Sequence, residues 1–300
     1  MSSQHSCQVQ PPKTGKSSPY SIVDKRQLAP KVTRYVVRAP EIAAARRAGQ
    51  FVMVRPNDAG ERIPLTIADG DAKAGTVTLV VQEVGKSTAV MATMKAGDAF
   101  TDVVGPLGSP THIEKWGTVV CIGGGIGIAP VHPIAQAMRK AGNKVVSILG
   151  ARTKDFLIME EELRAASDEV LLCTDDGSYG EKALVTQVLE KYIQKNGKPN
   201  LVVAIGPPIM MKFVAKTTAP HQLPTLVSLN SVMVDGTGMC GGCRVTVGGK
   251  TKFVCVDGPE FDGHQVDFDE MMRRQRYYAE QEKVAYDRYL AGRAAEGASR

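Results

Sequence analysis

The chain has 300 residues, with 37 Lys and Arg against 31 Asp and Glu and a formal net charge of +6. That length holds about two domains with cores of their own, and 43% hydrophobic with 23% charged residues is an ordinary globular balance. The mild charge, much of it near the chain ends, and the few aromatics argue against nucleic-acid binding; no apolar run approaches the about 18 residues of a membrane span.

Residues 1–19 are polar and lack the apolar segment of a signal peptide. They read as a flexible leader, with Cys7 an exposed thiol. The expected compartment is the cytoplasm, where thiols stay reduced. The six cysteines then mean metal, chemistry or packing. Residues 20–115 carry short β-type runs, "TRYVVRAP", "FVMVRP", "TVTLVVQEV" and "AFTDVVGPLG". Their spacing predicts a small antiparallel barrel.

From Trp116 the pattern changes. "TVVCIGGG", "KVVSILGAR", "EVLLCTDDG" and "LVVAIGPP" are apolar strands with helical patterns between them. That alternation predicts a parallel sheet covered on both faces over 116–224. Cys121 and Cys173 end two of these strands as small buried hydrophobes. Residues 225–266 form a cysteine module. Residues 267–300 begin with a charged stretch that reads as helical throughout to 293, followed by a tail. The fold class expected is therefore α/β plus β: a barrel, a parallel-sheet domain and a small C-terminal module.

Several short motifs fall on loops between these elements. In "ERIPLTIAD", Arg62 precedes Pro64, Leu65 and Thr66. An arginine can pin a phosphate, and strand amides can bond the edge of a flat ring; a plain surface arginine fits the same residues. "VGKST" places Gly85, Lys86, Ser87 and Thr88 at the start of a helical pattern, where free amides suit a pyrophosphate. In "IGGGIGIAP", Gly124, Gly125, Ile126 and Gly127 join a strand to a helix. Glycines there admit a dinucleotide backbone, and equally serve helix–strand packing. The acidic residue usual after the second strand is missing. Arg152 stands there instead, a candidate for a ribose or 2′-phosphate contact or a solvated loop residue. Asp175, Asp176 and Gly177 follow the third strand, and Gly206 and Pro207 the fourth, at the strand ends where open α/β sheets bind ligands. Cys240, Cys243 and Cys255 supply three thiolates, an incomplete metal set. No general acid, base or nucleophile stands out, and His264 reads as structural.

"RIPLT", "VGKST", "GPLG", "GGGIGIAP", "DDGSYG" and "GPP" occur in the order seen in the ferredoxin–NADP reductase superfamily. With "LVSLNSVMVDGTGMCGGCRV" and "CVDGPEFDGH", residues 20–268 resemble the small (alpha) subunits of NADH-dependent reduced ferredoxin:NADP oxidoreductases. The sulfide dehydrogenase beta subunit and the dihydroorotate dehydrogenase electron-transfer subunit are similar. The resemblance implies that Arg62, Pro64, Leu65 and Thr66 hold the ring end of FAD. It places Gly85, Lys86, Ser87 and Thr88 on the FAD pyrophosphate. Gly124, Gly125, Ile126, Gly127, Arg152, Asp175, Asp176, Gly177, Gly206 and Pro207 would line the pyridine-nucleotide pocket.

The dihydroorotate-dehydrogenase relative carries four cysteines. Here the first position is Asp235, giving D-x4-C-x2-C-x11-C. The resemblance makes Asp235, with Cys240, Cys243 and Cys255, the ligand set of a [2Fe–2S] cluster. Zinc accepts the same donors, and Asp235 also fits a turn in "VDGTG". Zinc carries no electrons, which sets the cluster ahead beside a flavin–nicotinamide module. The cofactors expected are FAD, a [2Fe–2S] cluster and NAD(H), with NADP(H) open.

The implied partner is a larger FAD and iron–sulfur flavoprotein, in a heterodimer serving ferredoxin by electron bifurcation. Met271, Met272, Tyr278 and Tyr286 are candidates for its docking face, against a helix folded on its own domain. A sulfide or dihydroorotate dehydrogenase subunit, a stand-alone NAD(P)H reductase and a zinc-stabilised binding module are the other readings.

Overall fold

A computed structural model describes residues 19–298; the leader and Cys7 lie outside the described residues except for Pro19. The first sheet is built from β1 (Ile22–Ala29), β2 (Val32–Arg38), β3 (Phe51–Arg55), β4 (Ile63–Asp71), β5 (Thr76–Gln82) and β6 (Asp102–Leu107). Helices α1 (Pro40–Ala45) and α2 (Lys86–Thr93) lie in its connections. The strand order is β1-β2-β5-β4-β3-β6, all antiparallel. A Ser21–Ala99 bridge brings the two ends of the sheet together. The short β-type runs read in the sequence become the strands of this closed sheet, where every second side chain points inward. Tyr35, Val52, Val54, Leu79, Met91 and Phe100 fill the interior. The Tyr35 hydroxyl donates to the Met91 carbonyl at 2.8 Å, so the one polar tip in that core is satisfied.

The second sheet holds β7 (Thr118–Gly124), β8 (Lys144–Ala151), β9 (Glu169–Thr174), β10 (Glu181–Lys182), β11 (Leu201–Ile205), β12 (Thr225–Ser228) and β15 (Glu260–Asp262). Helices α3 (Ile128–Lys140), α4 (Glu160–Ala166), α5 (Val185–Asn196) and α6 (Pro208–Thr218) connect its strands. The order is β10-β9-β8-β7-β11-β12-β15, parallel except for β15. Side chains of α3 and α4 cover one face and those of α5 and α6 the other, so the strands are apolar on both sides. Cys121 and Cys173 are buried strand residues. Barrel and sheet meet along α3, where buried His132 Nδ1 lies 3.1 Å from the Ala68 carbonyl.

The stretch 225–266 is divided between two structures. β12 and β15 extend the parallel sheet, while the cysteines ride on the loop before β13 (Arg244–Val247), the hairpin to β14 (Lys250–Phe253) and the short α7 (Val254–Asp257). The sheet claims its outer strands because Val227 and Phe261 join the same apolar core as α5 and α6. His264 Nε2 lies 2.9 Å from the Thr218 hydroxyl, a structural contact to α6.

The helical stretch after 267 is interrupted: α8 (Phe268–Gln275) ends before residues 276–278, and α9 (Ala279–Ala298) follows. Asp267 caps α8 by accepting from the Glu270 amide at 2.8 Å. Met271 does not belong to a docking face. It is 2% exposed and packs in the core with Cys243 and Cys255, and Met272 packs against that core. Tyr286 instead donates to Glu83 at 2.8 Å, folding α9 back across α2.

Candidate functional site

The outer face of the barrel is the first element of the site. Across the β3–β4 ladder, Thr66 opposes Phe51 and Pro64 opposes Met53. Such partners share a face. Phe51 and Met53 point outward into the core that holds Cys243, Val245, Val254 and Cys255, so Pro64 and Thr66 face the same side. Leu65 opposes Val52 and packs toward the barrel interior, leaving its backbone for any outer ligand. Arg62 forms a 2.8 Å ion pair with Asp102 at the edge of this face, with its side chain 46% exposed.

Beyond β5 the chain turns through Val84 and Gly85 into α2. The Thr88 hydroxyl accepts from the Val84 and Gly85 amides at 2.9 and 3.0 Å. It therefore shapes the loop. A Cβ at Gly85 would meet nothing within 4 Å. The first-turn amides of Lys86, Ser87 and Thr88 have no carbonyl of their own helix to bond. An open glycine before such a turn fits a phosphate.

The second element is the crevice where strand order reverses. β8 and β9 run outward from one side of β7, and β11 and β12 from the other, so the ends of β7 and β11 form the switch point where open sheets bind ligands. Three glycines there are packing residues. A Cβ on Gly127 would overlap the Ile205 carbonyl, one on Gly124 the Met210 sulfur, and one on Gly123 would sit 2.7 Å from Ile128 Cα. Gly125 differs: its φ is +56° and a Cβ would enter open space. Gly206 abuts Gly124, its Cβ position lying 3.2 Å from the Gly124 carbonyl, and Pro207 is exposed beside it. Ile126 packs against the α3 core.

The loops after β8 and β9 are stitched together. The Asp175 amide donates to Ala151 at 3.0 Å and the Asp176 amide to Arg152 at 3.3 Å. The Ser178 hydroxyl, above all, holds the Asp176 carboxyl below the usual range, while Arg152 is exposed. Gly177 carries a φ of +79° in this turn.

The third element brings Asp235, Cys240, Cys243 and Cys255 together as two pairs. Cys243 and Cys255 sulfurs are 3.2 Å apart, and Cys240 Sγ is 3.4 Å from Asp235 Oδ1. Among the described residues, no three such donors converge on a single ion position. Positive φ at Gly236, Gly238 and Gly241 folds the loop so that its amides point inward. The Gly242 amide meets Cys240 Sγ and the Cys255 amide meets Cys243 Sγ, each at 3.4 Å. Amides aimed at sulfur fit thiolate ligands of a cluster. Asp235 also accepts from the Thr237, Met239 and Cys240 amides at 3.1, 3.2 and 3.1 Å. The Thr237 amide is the largest influence holding its carboxyl below the usual range. Burial, with Cys243 adding, pushes the Cys255 thiol up to about 12. A thiol so placed ionises when a cation takes the proton's place.

Sequence reading missed the piece that joins the elements. A Cβ on Gly236 would lie 2.7 Å from Met53 Cγ and 3.0 Å from Leu107 Cδ1, so the cluster loop rests on the barrel face that carries Pro64 and Thr66. Met53 had no local signal, because it reads as one more strand hydrophobe. Also missed was Glu260, in the quoted "GPEFDGH" but given no role. Its carboxylate accepts from the Thr111 hydroxyl at 2.6 Å, and burial pushes it up to about 7.

Comparison with known proteins bears on the second and third of these elements. Residues 230–267 match the iron–sulfur cluster binding domain of dihydroorotate dehydrogenase B, and residues 121–216 match the oxidoreductase NAD-binding domain. The chain is 50% identical over 269 residues to a dihydroorotate dehydrogenase B (NAD(+)) electron transfer subunit homolog of Thermotoga maritima, covering 90% of this chain and 95% of the relative. It is 34% identical to the electron transfer subunit of Streptococcus mutans, covering 83% and 97%.

Among solved structures, a chain of the NADH-dependent reduced ferredoxin-NADP oxidoreductase, studied for flavin-based electron bifurcation, superposes with a TM-score of 0.87 and 47% identity. It covers 92% of this chain and all of that one. A ferredoxin reductase of carbazole 1,9a-dioxygenase shares the fold, with a TM-score of 0.60 at 20% identity over 68% of this chain and 65% of that one. With its NAD-binding and iron–sulfur domains on a ferredoxin–NADP reductase fold, the chain belongs to the family of dihydroorotate dehydrogenase B-type electron transfer subunits.

Proposed function

We propose that this chain is the NAD(H)-linked subunit of an electron-bifurcating complex, passing hydride between NAD(H) and FAD and single electrons between FAD and a [2Fe–2S] cluster. The barrel of residues 20–115 would hold FAD, residues 116–224 the nucleotide, and the loops of 225–266 the cluster. The observation that carries this reading is Met53. On one side it faces Pro64 across the ladder, and on the other it supports Gly236 of the cluster loop. Adjacent strands lie about 4.8 Å apart, so a flat ring on Pro64 and Thr66 and a cluster beside Gly236 would be close neighbours.

Bound FAD supplies the exchange between two-electron and one-electron steps. Arg62 and the amides of Lys86, Ser87 and Thr88 would orient it, with Pro64, Thr66 and the Leu65 backbone against the ring. Gly125 leaves room for the nucleotide pyrophosphate, flanked by Gly124, Ile126 and Gly127. Arg152, Asp175, Asp176, Gly177, Gly206 and Pro207 would close the crevice. The two donor pairs support a two-iron cluster over a single zinc ion. Two thiolates on one tetrahedral ion at about 2.3 Å stand about 3.8 Å apart, near the Cys243–Cys255 spacing. Asp235 with Cys240 would then serve the other iron.

The partner is a larger flavoprotein with its own FAD and iron–sulfur centres, in a heterodimer that ferredoxin serves. No helix among the described residues is long and apolar enough to cross a membrane; the cytoplasm is the compartment this reading assigns to the complex. The name of the Thermotoga relative supports a second reading, the same module on a dihydroorotate-oxidising partner; the co-purifying large subunit distinguishes the two.

The test is Gly125→Val in protein purified without oxygen. A branched side chain at positive φ both fills the open space and strains the turn. NADH-dependent flavin reduction collapses while FAD and iron contents match the wild type. Undiminished reduction would place the nucleotide elsewhere, and a colourless, iron-free wild type would end the redox reading.

A further inference from the structure

The loop that presents Cys240 and Cys243 is held from behind by two arginines. Arg244 Nη1 donates to the Gly241 carbonyl at 3.1 Å, and Arg274 Nη2 donates to the Gly242 carbonyl at 3.3 Å. A trans peptide points its C=O and the following N–H in opposite directions. Pulling the Gly241 oxygen toward Arg244 therefore turns the Gly242 amide inward, where it meets Cys240 Sγ at 3.4 Å. Holding the Gly242 oxygen toward Arg274 turns the Cys243 amide back into the loop by the same geometry.

Arg244 is exposed and adjacent in sequence. Arg274 is neither. It comes from α8, 32 residues away, and lies beyond the 230–267 segment that matches the iron–sulfur domain. Its Nε is buried without a hydrogen-bond partner, and its guanidinium stacks 5.8 Å from the Tyr277 ring. It takes no part in the ion pairs of the described residues. A partly buried guanidinium with an unmet donor costs stability, so its place against the ligand loop calls for a compensating role. α8 is fixed in register by Asp267 at its N-cap, by Met271 in the core, and by Glu270, which accepts from the Thr246 amide at 3.0 Å.

We propose that Arg274 is a positioning residue for the metal cluster. Through the Gly242 carbonyl its planar fork locks the Gly242–Cys243 peptide, and with it the backbone that carries the ligand Cys243. Its uncompensated positive charge sits close behind the centre. The fixed peptide keeps the ligand loop in place, and the nearby cation favours the more negative, reduced cluster and so raises the reduction potential. This rests on the cluster assignment above.

The experiment uses the full chain, purified without oxygen, as wild type, Arg274→Met and Arg274→Lys. Iron content, chelator-driven iron release and the cluster midpoint potential by EPR-monitored titration are read on each, with FAD content as the check on folding. For Arg274→Met the expected result is full FAD, iron release faster by ~10-fold, the usual scale for loss of an outer-shell partner, and a lowered midpoint potential. Arg274→Lys keeps the charge but not the fork. Its potential should stay near wild type while iron release remains fast. Identical potentials and release rates in all three would overturn the proposal and leave the cluster assignment intact. An iron-free wild type would overturn both. If Arg274→Met loses FAD as well, Arg274→Lys decides: wild-type iron release there would mean a merely structural residue.

Discussion

At the scale of single residues, Asp235 has two tasks at once. Its carboxylate closes a turn through three amides, and it stands 3.4 Å from the Cys240 sulfur. With the Thr237 hydroxyl, three donors crowd Oδ2 and one meets Oδ1, so the lone pair left for a cation is on Oδ1, the oxygen nearest the Cys240 sulfur. Asp235→Ala removes both tasks and should give a labile, partly occupied cluster. Asp235→Cys restores a four-thiolate set and should retain iron at a lower potential, because thiolate donates more charge than carboxylate oxygen. Iron content and low-temperature EPR of the reduced proteins check this. An unaltered spectrum and potential in Asp235→Ala would reduce the aspartate to its turn.

At the scale of elements, α9 offers a test of what a mostly exposed, charged helix does. It has no apolar stripe wide enough to bury itself. Its anchor is Tyr286, whose hydroxyl donates to Glu83 just before the Val84–Gly85 turn. That bond shares the charge of a carboxylate next to the proposed phosphate loop. Truncation after residue 276 should therefore lower FAD retention while the core around Met271 stays intact. Tyr286→Phe should lower it by a smaller factor in the same direction. Both are measured as FAD released on dilution or gel filtration. Equal retention in all three proteins would make the α9–α2 contact incidental.

At the scale of the whole molecule, Glu260 lies where three parts meet. It sits on β15, accepts from Thr111 of the segment joining barrel to sheet, and stands 2.9 Å from where a Cβ on Gly49 of the barrel would be. Burial raises its carboxyl from the ordinary 4.5 to about 7. The folded state thus holds this proton more tightly than the unfolded chain. The stabilisation is full below pH 4.5 and is lost as pH rises to about 7. The loss runs at about 1.4 kcal/mol per pH unit, on the order of 3 kcal/mol in all. Glu260→Gln keeps a hydrogen-bonding acceptor without the charge. Its unfolding free energy should change less from pH 5 to pH 8 and exceed that of wild type at the upper end. Urea denaturation across that range measures it, and parallel curves for the two proteins would show that Glu260 ionises as freely in the folded state as in the unfolded.

Local chemistry was legible in the sequence by itself. Short β-type runs at close spacing marked the barrel, apolar runs with glycine ends marked the parallel strands, and the cysteines marked the metal loop, to which only the family resemblance added Asp235. In each case the signal lies within one short stretch of chain, where backbone geometry and side-chain pattern are coupled directly. What the glycines of "IGGGIGIAP" do was not legible. Three fill space against Ile128, Ile205 and Met210, and only Gly125 faces the crevice, a distinction made by neighbours up to 86 residues away in the chain. The break between α8 and α9, the inward packing of Met271 and the capture of β12 and β15 by the parallel sheet were likewise decided by tertiary contacts. So was the meeting of Met53 with Gly236, because proximity across 183 positions depends on how the barrel, sheet and cluster loop bury their apolar faces together. No local pattern encodes that distance.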